Sequence, residues 1–265
     1  MSNPVERPDL FVAPRVVHCS EHRINFMQRS NWLSFVYPFL FGLVDNGMSS
    51  VEAFEAPLIT LDTSGLTGST VLSPAELRQS VPYFKMELTN QFFLMVYGSF
   101  EALLADLIVS AYAKLGEPEP HTPARRMMIR TWADRFRLVS ETFDLKLRYQ
   151  NLKDWYGDVD FAVTGPDGKP YDGPLAVLKD LSEVRHLIVH FASRFDDKTA
   201  VRFGKKAGER IQIQTLFLQS VTHFLDLLAA PLDDAFSERF SWSQVEACTG
   251  ALTLPPPGYP NFREA

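Results

Sequence analysis

Residues 92–112, "FFLMVYGSFEALLADLIVSAY", decide the fold. In and just before this stretch, Phe84, Leu88, Phe92, Met95, Val96, Ser99, Leu103 and Leu107 recur at spacings of three and four. That is the period of an α-helix, not of a strand. Gly116 and then Pro118 follow; the first tolerates left-handed backbone and the second cannot continue a helix, so the helix is expected to end near Leu115. At its other end, Ser73 stands as N-cap, Pro74 at the first helical position and Glu76 as the capping-box partner. Pro82 is expected to reset the helix, because proline removes a backbone donor.

The same period extends downstream. Thr122-Pro123 opens a second helix through Trp132, Phe136, Val139 and Phe143. Pro174 opens a third, with Leu178, Leu181, Val184, Leu187, Ile188 and Phe191 on one side, and a fourth covers roughly Gly208 to Ala230, ending at Pro231. The stretch "DFAVTGPDGKPYDG" (160–173) reads as a strand-like insertion or hairpin around Pro166-Asp167-Gly168. Residues 1–72 form an irregular opening section, with a helix starting near Ser20, an apolar run from Trp32 to Val44 broken by Pro38, and a Gly/Ser/Thr-rich linker over 62–73. The segment from Ser241 on, with "LPPPGYP", reads as an extended surface tail. The expected fold class is all-α for the most part. It is a helical bundle over 73–240 with a small β-like insertion, an N-terminal extension of unassigned role (1–72) and a C-terminal tail (241–265).

Composition narrows the function classes. Net charge is −6, so no overall positive field draws the chain to nucleic acid or to a membrane, and any polyanion site must be local. Cys19 and Cys248 sit far apart with no motif around them, which fits a reducing cytoplasm and leaves a disulfide open. Met1 to Arg15 is polar and Pro-containing, unlike a signal peptide, and the Trp32–Val44 run is too short to span a bilayer. A soluble cytoplasmic protein with no membrane partner is expected. "TGPDG" has turn chemistry and does not precede a phosphate-binding helix, and no nucleophile elbow or Cys–His signature is present, so no cofactor is expected.

One segment departs from core chemistry. "EVRHLIVHFASR" (183–194) places an arginine and two of the chain's six histidines among Leu, Ile, Val and Phe. On a helical wheel Val184, Leu187, Ile188 and Phe191 form one stripe, while Arg185, His186, Val189, His190 and Ser193 fall on the far side. An outward valine among polar groups suits a face covered by a cleft or a partner. Three readings compete. The first is a surface or structurally satisfied histidine pair. The second is an i, i+4 metal pair, for which the sequence offers no third ligand and no His-Glu motif. The third is an Arg–His combination acting on a phosphodiester, in which histidine moves protons near neutral pH and arginine's fork meets the charge gained in the transition state.

The order Arg185-His186-Leu-Ile-Val-His190 resembles the motif of the HEPN superfamily (higher eukaryotes and prokaryotes nucleotide-binding): an arginine, a polar residue, three variable residues, then histidine. The 92–112 helix, with its Phe100-Glu101 pair, is similar to the first helix of those proteins, and the likeness covers roughly residues 75–230. The resemblance implies a metal-independent ribonuclease of the toxin–antitoxin or antiviral kind. Such a protein would be a homodimer in which two motif helices meet and the RNA 2′-hydroxyl attacks the adjacent phosphate. It implies His190 as general acid/base, Arg185 as phosphate and transition-state contact, His186 in support and Glu101 as an anchor for the arginine or for a histidine tautomer. It needs no metal, and its partners would be RNA and an antitoxin or defence protein. A non-catalytic HEPN module that binds nucleotide or a partner is the rival.

Basic residues that could line an RNA path lie in "PARRMMIRTWADRFR" (123–137) and at Lys198, Arg202, Lys205, Lys206 and Arg210, the second group closely following the motif. The aromatics Trp132, Trp155, Tyr156 and Trp242 read as core residues, not as base-stacking platforms.

Overall fold

The computed structural model describes residues 15–55, 74–116, 121–145 and 173–249. Within them the chain runs β1 (Arg15–Cys19), α1 (Glu21–Glu55), α2 (Pro74–Leu115), α3 (His121–Met128), α4 (Trp132–Phe143), α5 (Pro174–His190), α6 (Asp197–Arg202), α7 (Thr215–Phe240) and β2 (Val245–Thr249). The fold is mostly α, as the 3.6-residue period requires. The hairpin expected at 160–173 lies outside the described residues. Among them, the sheet is a two-stranded ribbon in which β1 pairs antiparallel with β2, Arg15 opposite Thr249 and Cys19 opposite Val245. In the backbone register Cys248 pairs with Val16, three positions from Cys19, whose thiol is free.

α2 is the central element and packs against α1, α3, α5 and α7. Phe93, Tyr97, Phe100, Leu104, Leu107 and Ile108 on it are fully buried. Phe84 and Met95, although they fit the period, lie at the surface. α2 has the length and apolar character of a membrane span, but half of that apolar window is buried inside the fold. This is the pattern of a core helix and is compatible with a soluble protein.

The N-terminal helix belongs to the bundle. α1 begins at Glu21, as expected near Ser20, but it is not broken at Pro38: it continues as a 35-residue helix to Glu55, packs along α2 and touches α7. It passes through Pro38, which in an isolated helix interior would cost about 3 kcal/mol. Buried Leu33 and Tyr37 precede that proline, and the Tyr37 ring meets Phe92 edge-on at 5.0 Å while its hydroxyl reaches Thr89 and Thr215. Tertiary packing thus holds the helix together where local propensity would break it. Pro82 and Pro231 are likewise absorbed inside α2 and α7, so α7 ends at Phe240 and not near Ala230. The start of α1 is fixed from afar: fully buried Asp233 of α7 accepts the Ser20 backbone N–H at 2.9 Å and the Ser20 hydroxyl. A carboxylate there satisfies orphan donors and complements the positive end of the helix.

The single helix expected from Thr122 through Phe143 is two helices. Thr131 interrupts them and caps α4 by accepting the Asp134 N–H. Ser73 lies outside the described residues, while Pro74 takes the first position of α2 and Gly116 follows its end at φ +77°. Trp132 is buried and Trp242 is half-buried against Phe236 and Phe240. Trp155 and Tyr156 lie outside the described residues.

Candidate functional site

α5 begins at Pro174 and ends at His190, with Val184, Leu187 and Ile188 buried against the bundle. His186, Val189 and His190 occupy the opposite face and are exposed, Val189 by 49%. The imidazoles of His186 and His190 lie one turn apart, ring centroids 4.7 Å apart. Two expected placements differ. Phe191 is the C-cap, is 42% exposed and lies against the His186 ring, with centroids 5.5 Å apart. Ser193 is buried, because Ala192 and Ser193 take left-handed backbone (φ 50° and 58°) and turn the chain inward. The wheel fails for both residues because the helix has already stopped.

Arg185 stands on the flank of this face and is held from two sides. Its Nε lies 3.4 Å from Oε2 of Glu101, and its guanidinium sits 5.9 Å from the Tyr97 ring centroid. Glu101 is also engaged: Arg135 of α4 donates to its Oε1 at 2.8 Å. Arg135 is nearly buried, lies 4.5 Å from the Trp132 ring centroid and donates its Nε–H to the Arg130 carbonyl at 2.7 Å. Trp132 donates to the Tyr97 hydroxyl at 2.5 Å, and that hydroxyl is 2.9 Å from Ser182 Oγ on α5. Burial pushes the Tyr97 phenol above its ordinary range, so it stays neutral and serves as a hydrogen-bonding post. An Arg135–Glu101–Arg185 triad and a Trp132–Tyr97–Ser182 chain therefore lock α2, α4 and α5 together beneath the motif.

The charge arithmetic of the triad is two cations against one anion, which leaves one positive charge at Arg185, its more exposed end. No second carboxylate among the described residues engages that guanidinium, and a grip through Nε leaves the terminal fork suited to a bidentate oxyanion. Among the described residues no set of three or more His, Cys, Asp or Glu side chains is placed to hold a metal ion.

The expected RNA path is only partly basic. Arg202 is turned inward, paired with Asp180 and Glu183 of α5, and is thus a structural tie and not a free phosphate contact. Lys205 pairs with Glu209 at 3.1 Å. Lys198 and Lys206 are exposed. Asp196 caps α6, and its carboxyl is held below the usual range first by the Thr199 hydroxyl and then by the Thr199 N–H, with Lys198 and His186 adding to the effect. His186 therefore has an acidic neighbour in the turn after its own helix.

Arg135, Tyr97 and Ser182 are the site-supporting residues that periodicity does not reveal. Arg135 reads in sequence as one charge of a basic cluster, and nothing local marks its tertiary partner. Comparison with protein-family models, curated proteins and solved structures finds no match to this chain.

Proposed function

We propose that the protein is a cytoplasmic, metal-independent endoribonuclease of HEPN type, active as a homodimer and belonging to a toxin–antitoxin or phage-defence system. The observation that carries this reading is the Glu101-gripped guanidinium of Arg185 on the same helix as an exposed histidine pair. His190 removes the proton from the RNA 2′-hydroxyl, whose oxygen attacks the adjacent phosphorus. The P–O5′ bond breaks, a 2′,3′-cyclic phosphate forms, and the 5′-oxygen leaves as a hydroxyl after taking a proton from an imidazolium. Arg185 faces the non-bridging oxygens as they gain charge. His186 orients the RNA, and Lys198 and Lys206 contribute screened attraction.

Helix geometry supports a composite site. His190 stands five positions after Arg185, so the two side chains project about 140° apart on α5. One copy spreads these groups around its own helix, whereas two copies of the face, related by a two-fold axis, bring an arginine and a histidine toward a shared cleft. Val189 and Phe191 supply the apolar contact for such an interface. Val189→Glu is therefore expected to shift the protein from dimer to monomer in light scattering, with its helical content by circular dichroism unchanged. A wild-type monomer at every concentration tested would remove the composite site.

The chemistry uses the substrate's own nucleophile, so cleavage is expected to persist at full rate in EDTA and to spare DNA, which lacks the 2′-hydroxyl. Loss of cleavage in EDTA with recovery on adding zinc would instead assign His186 and His190 to a metal. A wild type that cleaves no RNA but binds a nucleotide or a protein through the α5 face would be a non-catalytic module.

A further inference from the structure

A cavity of about 320 Å³ lies behind α5, on the side of the helix away from His186 and His190. Val177, Leu181 and Val184 of α5 form one wall, and the rings of Phe195, Phe203 and Phe217 form much of the rest. Charged groups reach it, but each is already matched within the protein: Asp180 with Arg202, Lys205 with Glu209, and Arg210 with Glu87 at 3.2 Å. A ligand carrying net charge would have to displace one of these pairs. Gln212 and Gln214, both exposed, supply the uncharged hydrogen-bonding groups on the lining.

We infer that this cavity is a binding site for a small, uncharged, ring-containing molecule, and that its occupancy is felt at the C-terminal end of α5. The volume falls at the lower end of ligand-binding cavities, and aromatic walls with a few polar groups are the common lining of such sites. The coupling has a physical carrier. Residues 208–211 are strapped to the turn that follows His190: Ile211 N–H donates to the Ser193 carbonyl at 2.7 Å, Phe195 N–H to Glu209 at 3.0 Å and Gly208 N–H to Phe195 at 2.8 Å. Ser193 Oγ and Arg210 also meet on Glu87. That turn contains the left-handed Ala192 and Ser193, a backbone state that non-glycine residues hold only where their surroundings impose it. A molecule packed on Ile211 and Phe195 stiffens the strap and so fixes the turn. The inference does not depend on RNA cleavage.

The test titrates N-phenyl-1-naphthylamine, a neutral aromatic probe that fluoresces in apolar surroundings, into the full chain. Saturable binding to the wild type is expected. It is expected to be lost in Val184→Phe, which fills the cavity from α5, and in Gln212→Trp, which fills it from an exposed position and leaves the core untouched. Circular dichroism confirms that each variant is folded. Phe39→Ser, on the exposed apolar stripe of α1 with Phe35 and Leu43, is expected to bind like the wild type. Bound probe is also expected to slow amide exchange over residues 191–195. Absence of saturable binding, binding that survives both cavity variants, or binding lost only in Phe39→Ser would overturn the site. Exchange unchanged by bound probe would overturn the coupling.

Discussion

His190→Ala is expected to lower the rate of RNA cleavage by about 10²- to 10⁴-fold, the usual contribution of a positioned general acid/base. The fold should not change, because His190 is exposed at the last turn of α5 and supports nothing in the core. Expression toxicity, if the wild type shows it, should disappear at equal protein levels. Arg185→Ala is expected to be comparably damaging, and Arg185→Lys should not restore the rate, since an ammonium cannot offer both a side-on grip to Glu101 and a terminal fork to phosphate. Leu187→Ala sets the control on the opposite face of the same helix. Leu187 is fully buried, so that variant should lose about 2–5 kcal/mol of stability while its folded fraction keeps its turnover. Equal cleavage by wild type and His190→Ala would remove histidine from the chemistry.

What the amino-acid pattern made legible follows from what each signal depends on. The 3.6-residue period needs only one buried stripe, and it placed α2, α5 and the inward Val184, Leu187 and Ile188 as the structure has them. Boundaries set by glycine caps were equally readable, as at Gly116. The proline boundaries were not. Pro38, Pro82 and Pro231 each lie inside a helix, because the lost hydrogen bond is a local cost while the packing that outweighs it is tertiary. The pairing of β1 with β2 joins segments near opposite ends of the chain, and five residues of each carry too little alternation to reveal it. At the site, the motif residues share one helix and were visible together. Glu101 could be singled out as an acid on α2, but its second partner, Arg135, was hidden among neighbouring arginines. Arg202 shows the opposite error: a cation that looked free in the sequence is held by two carboxylates presented by α5.

Glu101→Ala is expected to cost about 3–5 kcal/mol of stability, the range for removing one partner of a buried ion pair. The side chains of Glu101 and Arg135 are only 16% and 9% exposed, so solvent screens their contact weakly. Arg135 would keep its bond to the Arg130 carbonyl and its stacking on Trp132, but would have no carboxylate. Urea unfolding gives the loss directly. Stability and positioning can then be separated with one more variant. Glu101→Leu combined with Arg135→Met removes both buried charges and fills the space with apolar groups, an exchange that is often neutral or stabilising. Stability is therefore expected to return toward wild type. Cleavage is not expected to return, because Arg185 would have lost the carboxylate that turns its fork outward. If the double variant recovers stability and turnover together, Glu101 serves the fold alone. If it recovers stability while turnover stays low, Glu101 is a positioning residue for Arg185, and Arg135 acts through it.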